Sequence, residues 1–251
     1  MSHTAFYCAG TTPAAQYAAM FLKKSGFTFS TEPGFGTRHL LLDVPSFRDG
    51  KLRNGDTPDT LLSALPADVH IWGGNLQHPS MSHFHTTDLL QDEEYLAENA
   101  AITADCALSI AAPLLNSNWD ETSVLIIGWG RIGKRLGAQL LKAGCVPVIS
   151  TKSPAHQREI CAAGYACADT TTLSPVLSNF QLIFNTAPAS VISEHQSQLC
   201  RNCIKIDLAS VKGIEGPDVI WARGLPGIHA PRQSGKLIAD TIIKHIKEET
   251  K

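Results

Sequence analysis

Apolar residues fall in short runs along the first half of the chain, and turn or helix-forming residues follow each run. These runs predict strands at 5–9, 40–42 and 69–72. After the first strand, Pro13 is typical of a helix start, and the helical pattern continues to Lys24. The alternation of strand and helix predicts a small α/β domain.

The second half repeats this alternation with stronger strand signals. Residues 123–127 form a continuous β-branched and apolar run, which is typical of a strand buried on both faces of a parallel sheet. A helix is predicted from Arg131 to Ala143, with apolar residues on one side and Gly144 past its end. Further elements are predicted as strands at 146–150, 182–185 and 204–208 and as a last helix at 234–247.

The turn between the strand at 123–127 and its helix reads Gly128-Trp129-Gly130-Arg131-Ile132-Gly133. This is the glycine pattern of a Rossmann dinucleotide-binding domain, in which each glycine has a physical task. Gly128 permits the tight turn, Gly130 lets the backbone approach a pyrophosphate, and Gly133 allows close packing of helix on strand. The helix directs its first N–H groups at the phosphates. The predicted cofactor is therefore a nicotinamide dinucleotide.

The loop after the second strand of this domain, Ser150-Thr151-Lys152-Ser153, favours NADP over NAD. NAD sites usually place an acidic residue here to bind the ribose diol, whereas this loop has none. Its hydroxyls and its cation could instead hold a 2′-phosphate. The alternative is a solvated turn, because Ser153 and Pro154 also suit the start of the next helix.

A second candidate cofactor loop, Asn185-Thr186-Ala187-Pro188, lies at the end of a later predicted strand. Rossmann ligands bind outside the carboxyl ends of the strands, which is where this loop would lie. An Asx turn stopped by the proline is the alternative interpretation of the same residues.

A polar break around Asn116 divides the chain into an N-terminal, substrate-side α/β domain over residues 1–116 and the Rossmann domain over residues 117–251. Thr103 is the predicted N-cap of an inter-domain helix, with Asp105 in its first turn. The predicted fold class is α/β, with two doubly wound domains and an inter-domain helix. The last helix is a candidate to pack back on the first domain.

Composition narrows the functional classes. With 43% apolar and 18% charged residues, the 251-residue chain is an ordinary folded protein, and its net charge of −2 offers no basic stripe for nucleic acid. No stretch suits a membrane span or a secretory signal, so we expect a cytoplasmic location. In that location, the seven cysteines indicate reduced thiols rather than disulfides. The same interpretation applies to the single Cys200-Arg201-Asn202-Cys203 motif, which has no second pair.

Several motifs between about Asn99 and the C-terminus together resemble the A-subunit family of dipicolinate synthase. Some are the features already described, namely the glycine turn, the loops at 150–153 and 185–188, and the segment leading into the inter-domain helix. The others are Asp207-Leu208-Ala209-Ser210, Gly224-Leu225-Pro226-Gly227-Ile228, Ala230-Pro231 and Gly235.

The resemblance implies two α/β domains like those of the 2-hydroxyacid dehydrogenases, with the cofactor in the cleft. It implies an NADP-linked oxidoreductase that forms dipicolinate during sporulation from a dihydrodipicolinate-type precursor, which is a small dicarboxylate. It also implies a flavoprotein partner, the B-subunit of that enzyme, and we expect an oligomer. We expect no nucleic-acid partner, no membrane partner and no metal.

Two carboxylates that enter a water-poor cleft need donors or cations to replace their hydration. Lys212 and Arg232 are cations beside the shared motifs, and the resemblance also suggests a basic residue at Arg232. The candidate substrate residues also include Ser210, His229 and the predicted helix start at Thr103 and Asp105. Catalytic residues are not specified, because aromatisation of a dihydropyridine places much of the driving force in the substrate.

Two other functions fit parts of the sequence. A 2-hydroxyacid dehydrogenase needs a histidine–acid pair and an arginine on the substrate carboxylate, and Ser210 stands where that arginine is expected. A non-catalytic nucleotide-binding protein is favoured by the short segment between Ser210 and Gly224. His78, His83 and His85 suggest zinc, but no carboxylate or cysteine joins them at ligand spacing, so a solvated loop is predicted.

Overall fold

The computed structural model describes residues 5–249, and its contacts divide the chain into two compact units. Unit 1 takes in the described residues up to Asn99 and again from Pro226, and unit 2 runs Ala100–Leu225. The predicted single boundary at Asn116 differs from this division. The polar break at Asn116 follows a long helix and precedes the first strand of unit 2, so it interrupts secondary structure without separating the units.

Strands and helices alternate along much of the chain, except that β2 to β5 and the pair β12 and β13 follow one another directly. The strands are β1 (Ala5–Cys8), β2 (Thr28–Phe29), β3 (His39–Leu41), β4 (Phe47–Arg48), β5 (Lys51–Leu52), β6 (His70–Gly73), β7 (His85–Asp88), β8 (Val124–Ile127), β9 (Val148–Thr151), β10 (Ala166–Asp169), β11 (Leu182–Asn185), β12 (Ile204–Asp207) and β13 (Val219–Trp221). The α-helices are α1 (Pro13–Lys24), α2 (Pro58–Leu62), α3 (Glu93–Ala111), α4 (Arg131–Lys142), α5 (Pro154–Ala162), α6 (Glu194–Leu199), α7 (Leu225–His229) and α8 (Pro231–Glu249). Among the residues described, none of these helices has the length and apolar character to cross a membrane.

Unit 1 is built on a parallel sheet with the strand order β2-β1-β3-β6-β7, beside a small antiparallel hairpin of β4 and β5. Helices cover both faces, which explains why its central strands are apolar at consecutive positions. Leu41 belongs to the cluster that includes residues of α1 and α8, whereas Leu40 and Leu42 belong to the cluster on the other face. The predicted small α/β domain is therefore present.

The packing of α8 on α1 depends on small residues. A Cβ built on Gly235 of α8 would lie 2.4 Å from Tyr17 Cβ, 2.6 Å from the Ala14 carbonyl oxygen and 2.8 Å from Ala18 N. Two of those three atoms belong to the α1 backbone, so the two helices pack too closely at Gly235 to leave room for a side chain. The last helix thus packs on the first helix of unit 1.

Unit 2 is a six-stranded parallel sheet with the order β10-β9-β8-β11-β12-β13. Counted along the chain of this unit, the strands lie in the order third, second, first, fourth, fifth, sixth, which is the doubly wound Rossmann arrangement. Strands β8 and β11 are buried along their whole length. The sheet order reverses between them, and that switch point is where ligands of such sheets bind.

Candidate functional site

The glycine turn connects β8 to α4, as predicted. Gly128 has a φ of +103°, which favours glycine, and a Cβ there would lie 2.5 Å from Thr186 Oγ1. A Cβ on Gly133 would lie 2.3 Å from the Gly128 carbonyl oxygen. These two positions exclude a side chain because the surrounding atoms already fill the space.

Gly130, by contrast, faces open space. It is the N-cap of α4 and has an extended backbone conformation, and a Cβ built on it would meet no atom within 4 Å. The fold itself therefore does not require glycine at this position. The open space lies at the N-terminus of a 12-residue helix, where unbonded N–H groups and the helix dipole favour an anion. A dinucleotide pyrophosphate fits this cradle.

The three other residues of the turn differ in their exposure to solvent. The Trp129 ring is buried and meets Tyr165 edge to face, with ring centroids 5.6 Å apart. Trp129 can therefore offer a ligand its backbone rather than its ring. Arg131 is exposed and Ile132 is half-buried, and they are the first two residues of α4.

The loop after β9 presents one cation but fewer hydroxyls than the sequence suggested. Ser150 is fully buried, and its Oγ accepts a hydrogen bond from Thr170 Oγ1 at 3.3 Å. Thr151 Oγ1 accepts from Ser153 N at 3.2 Å, and the Ser153 hydroxyl caps α5. The helix-cap interpretation of Ser153 is therefore confirmed. Lys152 is left as the exposed cation of this loop.

Sequence reasoning missed an acidic side chain beside this loop. Asp169 ends β10 and pairs with Thr151 in the strand ladder. The Thr171 hydroxyl donates to Asp169 Oδ1 at 2.7 Å and the Thr171 N–H donates to it at 2.8 Å. These two bonds, followed by the charge of Lys152, lower the pKa of Asp169. Parallel pairing brings this carboxylate near Lys152, so it bears on the choice between NAD and NADP.

The loop after β11 meets the glycine turn at the switch point. Thr186 N and Thr186 Oγ1 both donate to the Ile127 carbonyl oxygen, at 2.8 and 3.0 Å. The Thr186 side chain also fills the space beside Gly128. Ala187 is half-buried and Pro188 is exposed. The structure thus brings together two of the three segments that the sequence assigned to the cofactor, the glycine turn and the loop at 185–188.

Asn185 supports this loop from within. It is fully buried, its Oδ1 accepts from Ala187 N at 3.0 Å, and its Nδ2 donates to the Ala187 carbonyl oxygen at 3.1 Å. Nδ2 also donates to Asp207 Oδ1 at 3.0 Å. The Asx-turn interpretation is therefore correct, and the Asn185 amide is committed to the loop.

Asp207 holds the next loop in the same way. Its carboxylate is fully buried at the end of β12 and accepts a hydrogen bond from Asn185 and three from backbone N–H groups. The backbone donors belong to Ala209 at 3.0 Å, Gly213 at 2.7 Å and Ile214 at 2.9 Å. Sequence reasoning used Asp207 as part of a motif but missed this role, because the donors lie on a later loop.

Ser210 and Lys212 are exposed on the loop that Asp207 anchors. Lys212 Nζ lies 3.5 Å from the Gly216 carbonyl oxygen. No helix forms between Ser210 and β13, in agreement with the short segment noted in the sequence. Both side chains are therefore accessible to a ligand.

The predicted helix start at Thr103 is wrong. Helix α3 is unbroken over Glu93–Ala111, so Thr103 is a buried residue in mid-helix. Asp105 is exposed, and its Oδ1 accepts from Gln139 Nε2 of α4 at 2.6 Å. Interior helical N–H groups bond within the helix, so neither position offers an anion-binding terminus. Asp92 precedes the actual start, and its Oδ1 accepts from the N–H three residues on.

His229 and Arg232 belong to unit 1. His229 ends α7 and is exposed. Arg232 is the second residue of α8, and its exposed guanidinium lies 6.0 Å from the centroid of the Phe21 ring. Arg232 is therefore exposed, and the central carbon of its guanidinium lies over the Phe21 ring of α1.

Unit 1 has a polar switch point of its own, which sequence reasoning did not identify. Its sheet order reverses between β1 and β3, and the buried Asp43 follows β3. Asp43 accepts from Thr11 N at 3.0 Å, from Thr12 N at 2.9 Å and from Thr12 Oγ1 at 2.5 Å. These bonds fix the start of α1 at the carboxyl edge of the sheet, where ligands of α/β units bind.

The sheet order, the glycine turn and the open cradle define unit 2 as a Rossmann dinucleotide-binding unit, and unit 1 is a second parallel α/β unit. No protein-family model matches the chain. The sequence is similar to the A-subunit of dipicolinate synthase from Bacillus subtilis (strain 168), with 23% identity over 169 residues. That match covers 64% of this chain and 57% of the relative, so it spans little more than half of the relative's length.

Solved structures extend the likeness to nearly the whole chain. The dipicolinate synthase A-subunit from Bacillus halodurans has a TM-score of 0.82 at 18% identity, covering 96% of this chain and 97% of that one. The corresponding protein from Bacillus subtilis has a TM-score of 0.81 at 17% identity, covering 99% and 97%. An NAD complex of a D-isomer specific 2-hydroxyacid dehydrogenase from Lactobacillus delbrueckii ssp. bulgaricus shares the fold at 10% identity and a TM-score of 0.53, covering 98% and 97%. The predicted resemblance and the two-unit α/β fold are therefore confirmed.

Proposed function

We propose that the chain is the NADP-dependent oxidoreductase component that forms dipicolinate from a dihydrodipicolinate-type precursor during sporulation. The observation that carries the proposal is the open cradle at Gly130, at the switch point of the unit 2 sheet. Gly128 and Gly133 on either side of it have no room for a side chain. Fold alone does not specify a reaction, so the proposal draws the substrate from the similarity to the A-subunit of dipicolinate synthase.

The reaction removes a hydride and a proton from the dihydropyridine ring and leaves the aromatic dicarboxylate. When bound, the oxidised nicotinamide supplies the hydride acceptor, and the proton would pass to solvent. Aromatisation provides much of the driving force, so the residues of this chain mainly have to align the substrate and exclude water. The proposal therefore does not depend on a catalytic triad.

Lys152 is the residue that we assign to the 2′-phosphate of NADP. It is exposed beside the end of β9, whereas the hydroxyls of Ser150, Thr151 and Ser153 are engaged in bonds within the protein. Asp169 opposes this assignment, because its carboxylate lies close enough to Lys152 to interact electrostatically. Two hydrogen bonds from Thr171 already engage that carboxylate and reduce its competition for Lys152.

Replacement of Lys152 with alanine should narrow the preference for NADPH over NADH by about 1–3 kcal/mol, the range for a charge-assisted hydrogen bond. The measurement is nicotinamide fluorescence during titration of the protein with each cofactor. Lys142→Ala removes an exposed cation from the far end of α4 and serves as the matched control. Equal affinity of the wild-type protein for both cofactors would refute the NADP assignment.

Arg232 and Lys212 are the proposed partners of the substrate carboxylates, with Ser210 and His229 as further polar contacts. Arginine suits this role because its guanidinium can bind a carboxylate through two parallel hydrogen bonds. The Arg232→Ala variant should raise the KM for the dihydropyridine at least about tenfold, the effect of losing one such bond, while NADPH affinity stays unchanged. Steady-state kinetics test this, with Lys247→Ala near the other end of α8 as control. An unchanged KM would remove Arg232 from the site.

The proposal includes a flavoprotein partner of the B-subunit type, an oligomeric state and a cytoplasmic location. A second candidate function, non-catalytic nucleotide binding, is favoured by the absence of a helix between Ser210 and β13 in the described chain. Turnover of dihydrodipicolinate by the purified chain, measured with and without the flavoprotein, separates the two. Cofactor binding without turnover in both assays would leave nucleotide binding as the function.

A further inference from the structure

Three histidines form a row at the amino edge of the unit 1 sheet. His39, His70 and His85 are the first residues of β3, β6 and β7, and the strand ladder pairs each with the next. Paired residues of neighbouring strands project to the same face of a sheet. The His70 and His85 ring centroids are therefore only 3.9 Å apart, and those of His39 and His70 are 5.7 Å apart.

Two members of this row are held in place by other side chains. Trp72 Nε1 donates to His39 Nδ1 at 3.0 Å, so that nitrogen is already occupied. The buried His70 ring stacks on Trp72 at 3.9 Å, and His70 Nε2 lies 2.8 Å from Thr87 Oγ1. When Nε2 donates to Thr87, the lone pair of His70 is on Nδ1. Such an outer hydrogen bond is how proteins orient a histidine that binds a metal.

The second ring nitrogen of His70, Nδ1, faces a carboxylate from the end of the chain's last helix. His70 Nδ1 lies 3.8 Å from Glu249 Oε2, and Glu249 is the last described residue of α8. One ligand atom each from His70, His85 and Glu249 lie within 4.8 Å of one another. The strand register and the C-terminal turn of α8 thus bring two imidazoles and one carboxylate to one point.

We propose that His70, His85 and Glu249 form a binding site for a divalent transition-metal ion of the zinc type. Two imidazole nitrogens and one carboxylate oxygen are a donor set that zinc prefers, with water as the fourth ligand. Zinc bonds of about 2.0–2.2 Å need the ligand atoms about 3.4 Å apart. The ligand atoms here lie within 4.8 Å of one another, so the widest separation has to shorten by at most about 1.4 Å. His85 and Glu249 are exposed and can make that adjustment around the fixed His70.

The position of the site indicates a structural role. It lies at the amino ends of the strands, whereas substrates and cofactors of α/β sheets bind at the carboxyl ends. A metal there would tie the C-terminal end of α8 to β6 and β7, within unit 1. It would stabilise the unit by favouring the folded state that alone presents all three ligands. This inference revises the sequence-based expectation of no metal, and it is independent of the proposed reaction.

Zinc binding to the full chain tests the proposal. After treatment with a chelator, the protein is titrated with zinc sulfate, and bound zinc is measured by equilibrium dialysis beside the thermal unfolding midpoint. We expect the wild type to bind one more zinc ion per chain than His85→Ala and Glu249→Gln. Added zinc should raise the thermal unfolding midpoint of the wild type more than that of either variant. His83→Ala removes an exposed histidine outside the cluster and should bind like the wild type.

Thr87 provides a test of the geometry around the site. Thr87→Val removes the hydroxyl that orients His70 and should weaken zinc binding about 10–100-fold, whereas Thr87→Ser should retain it. The d–d absorption spectrum of bound cobalt(II) should lose intensity in His85→Ala and stay unchanged in His83→Ala. Equal zinc binding by the wild type, His85→Ala and Glu249→Gln would overturn the proposal. So would a wild type that binds no zinc at micromolar concentration.

Discussion

The Gly130→Val variant is expected to fold like the wild-type protein and to lose at least about tenfold in affinity for both NADPH and NADH. The new side chain meets no atom within 4 Å of its Cβ, and the extended backbone at this N-cap accepts any residue. Its cost to the fold is therefore limited to the weaker cap, about 1 kcal/mol. The side chain would occupy the cradle, however, and displace phosphate from helix N–H groups whose charge-assisted bonds contribute about 1.5–3 kcal/mol each.

Gly133→Ala is the contrasting variant in the same turn. Its Cβ would lie 2.3 Å from the Gly128 carbonyl oxygen, and a backbone atom cannot move away as a flexible side chain can. We expect a loss of about 1–3 kcal/mol in the free energy of unfolding. Urea denaturation and fluorescence titration of both variants separate fold from binding. A Gly130→Val protein that binds NADPH normally would show that the pyrophosphate does not occupy this cradle.

The glycine turn could be predicted because its determinants are local. The strand, the turn and the helix occupy one continuous stretch from 124 to 142. Backbone geometry requires glycine at Gly128 and Gly133, whereas Gly130 follows from the ligand that the pattern predicts. Central strands could be predicted for a related reason, since burial on both faces requires continuous apolar runs. The edge strands β10 and β13 were missed, because they are partly exposed and lack such runs.

The helix start at Thr103 shows where local signals fail. Threonine is a good N-cap and a weak helix former, so the sequence favoured a break there. The helix continues through it because Ala100, Ala104, Ala107 and Ala111 recur on one face, and all four are buried. Burial of that face outweighs the local preference of a few residues, which is typically a fraction of a kcal/mol each.

The histidine row could not be predicted for a different reason. His83 and His85 are only two positions apart in the sequence. The residues that approach His85 in space, however, come from another strand and from the last helix. Strand register decides which residues stand side by side, and a shift of one position would turn each histidine to the opposite face. Sequence spacing alone therefore pointed to His78 and His83 instead of His70 and Glu249.

The Gly235→Ala variant is expected to lower the stability of unit 1 by about 2 kcal/mol. Alanine inside a helix is normally favoured over glycine by about 1 kcal/mol, so propensity alone predicts a gain. The new Cβ would instead lie 2.6 Å from the Ala14 carbonyl oxygen and 2.8 Å from Ala18 N, and α8 would have to move off α1. Overpacking of this kind costs up to about 3 kcal/mol, which exceeds the helical gain.

The sign of the change at Gly235 is thus the test, and Gly227 provides its matched control. A Cβ on Gly227 in α7 would meet no atom within 4 Å, so Gly227→Ala should be neutral or slightly stabilising. Thermal unfolding followed by circular dichroism should show Gly235→Ala about 4–8 °C below the wild type, because 1 kcal/mol corresponds to about 2–4 °C in a chain of this size. If both variants were stabilised alike, α1 and α8 would not be in backbone contact at Gly235, and the close packing of the last helix on the first would be refuted.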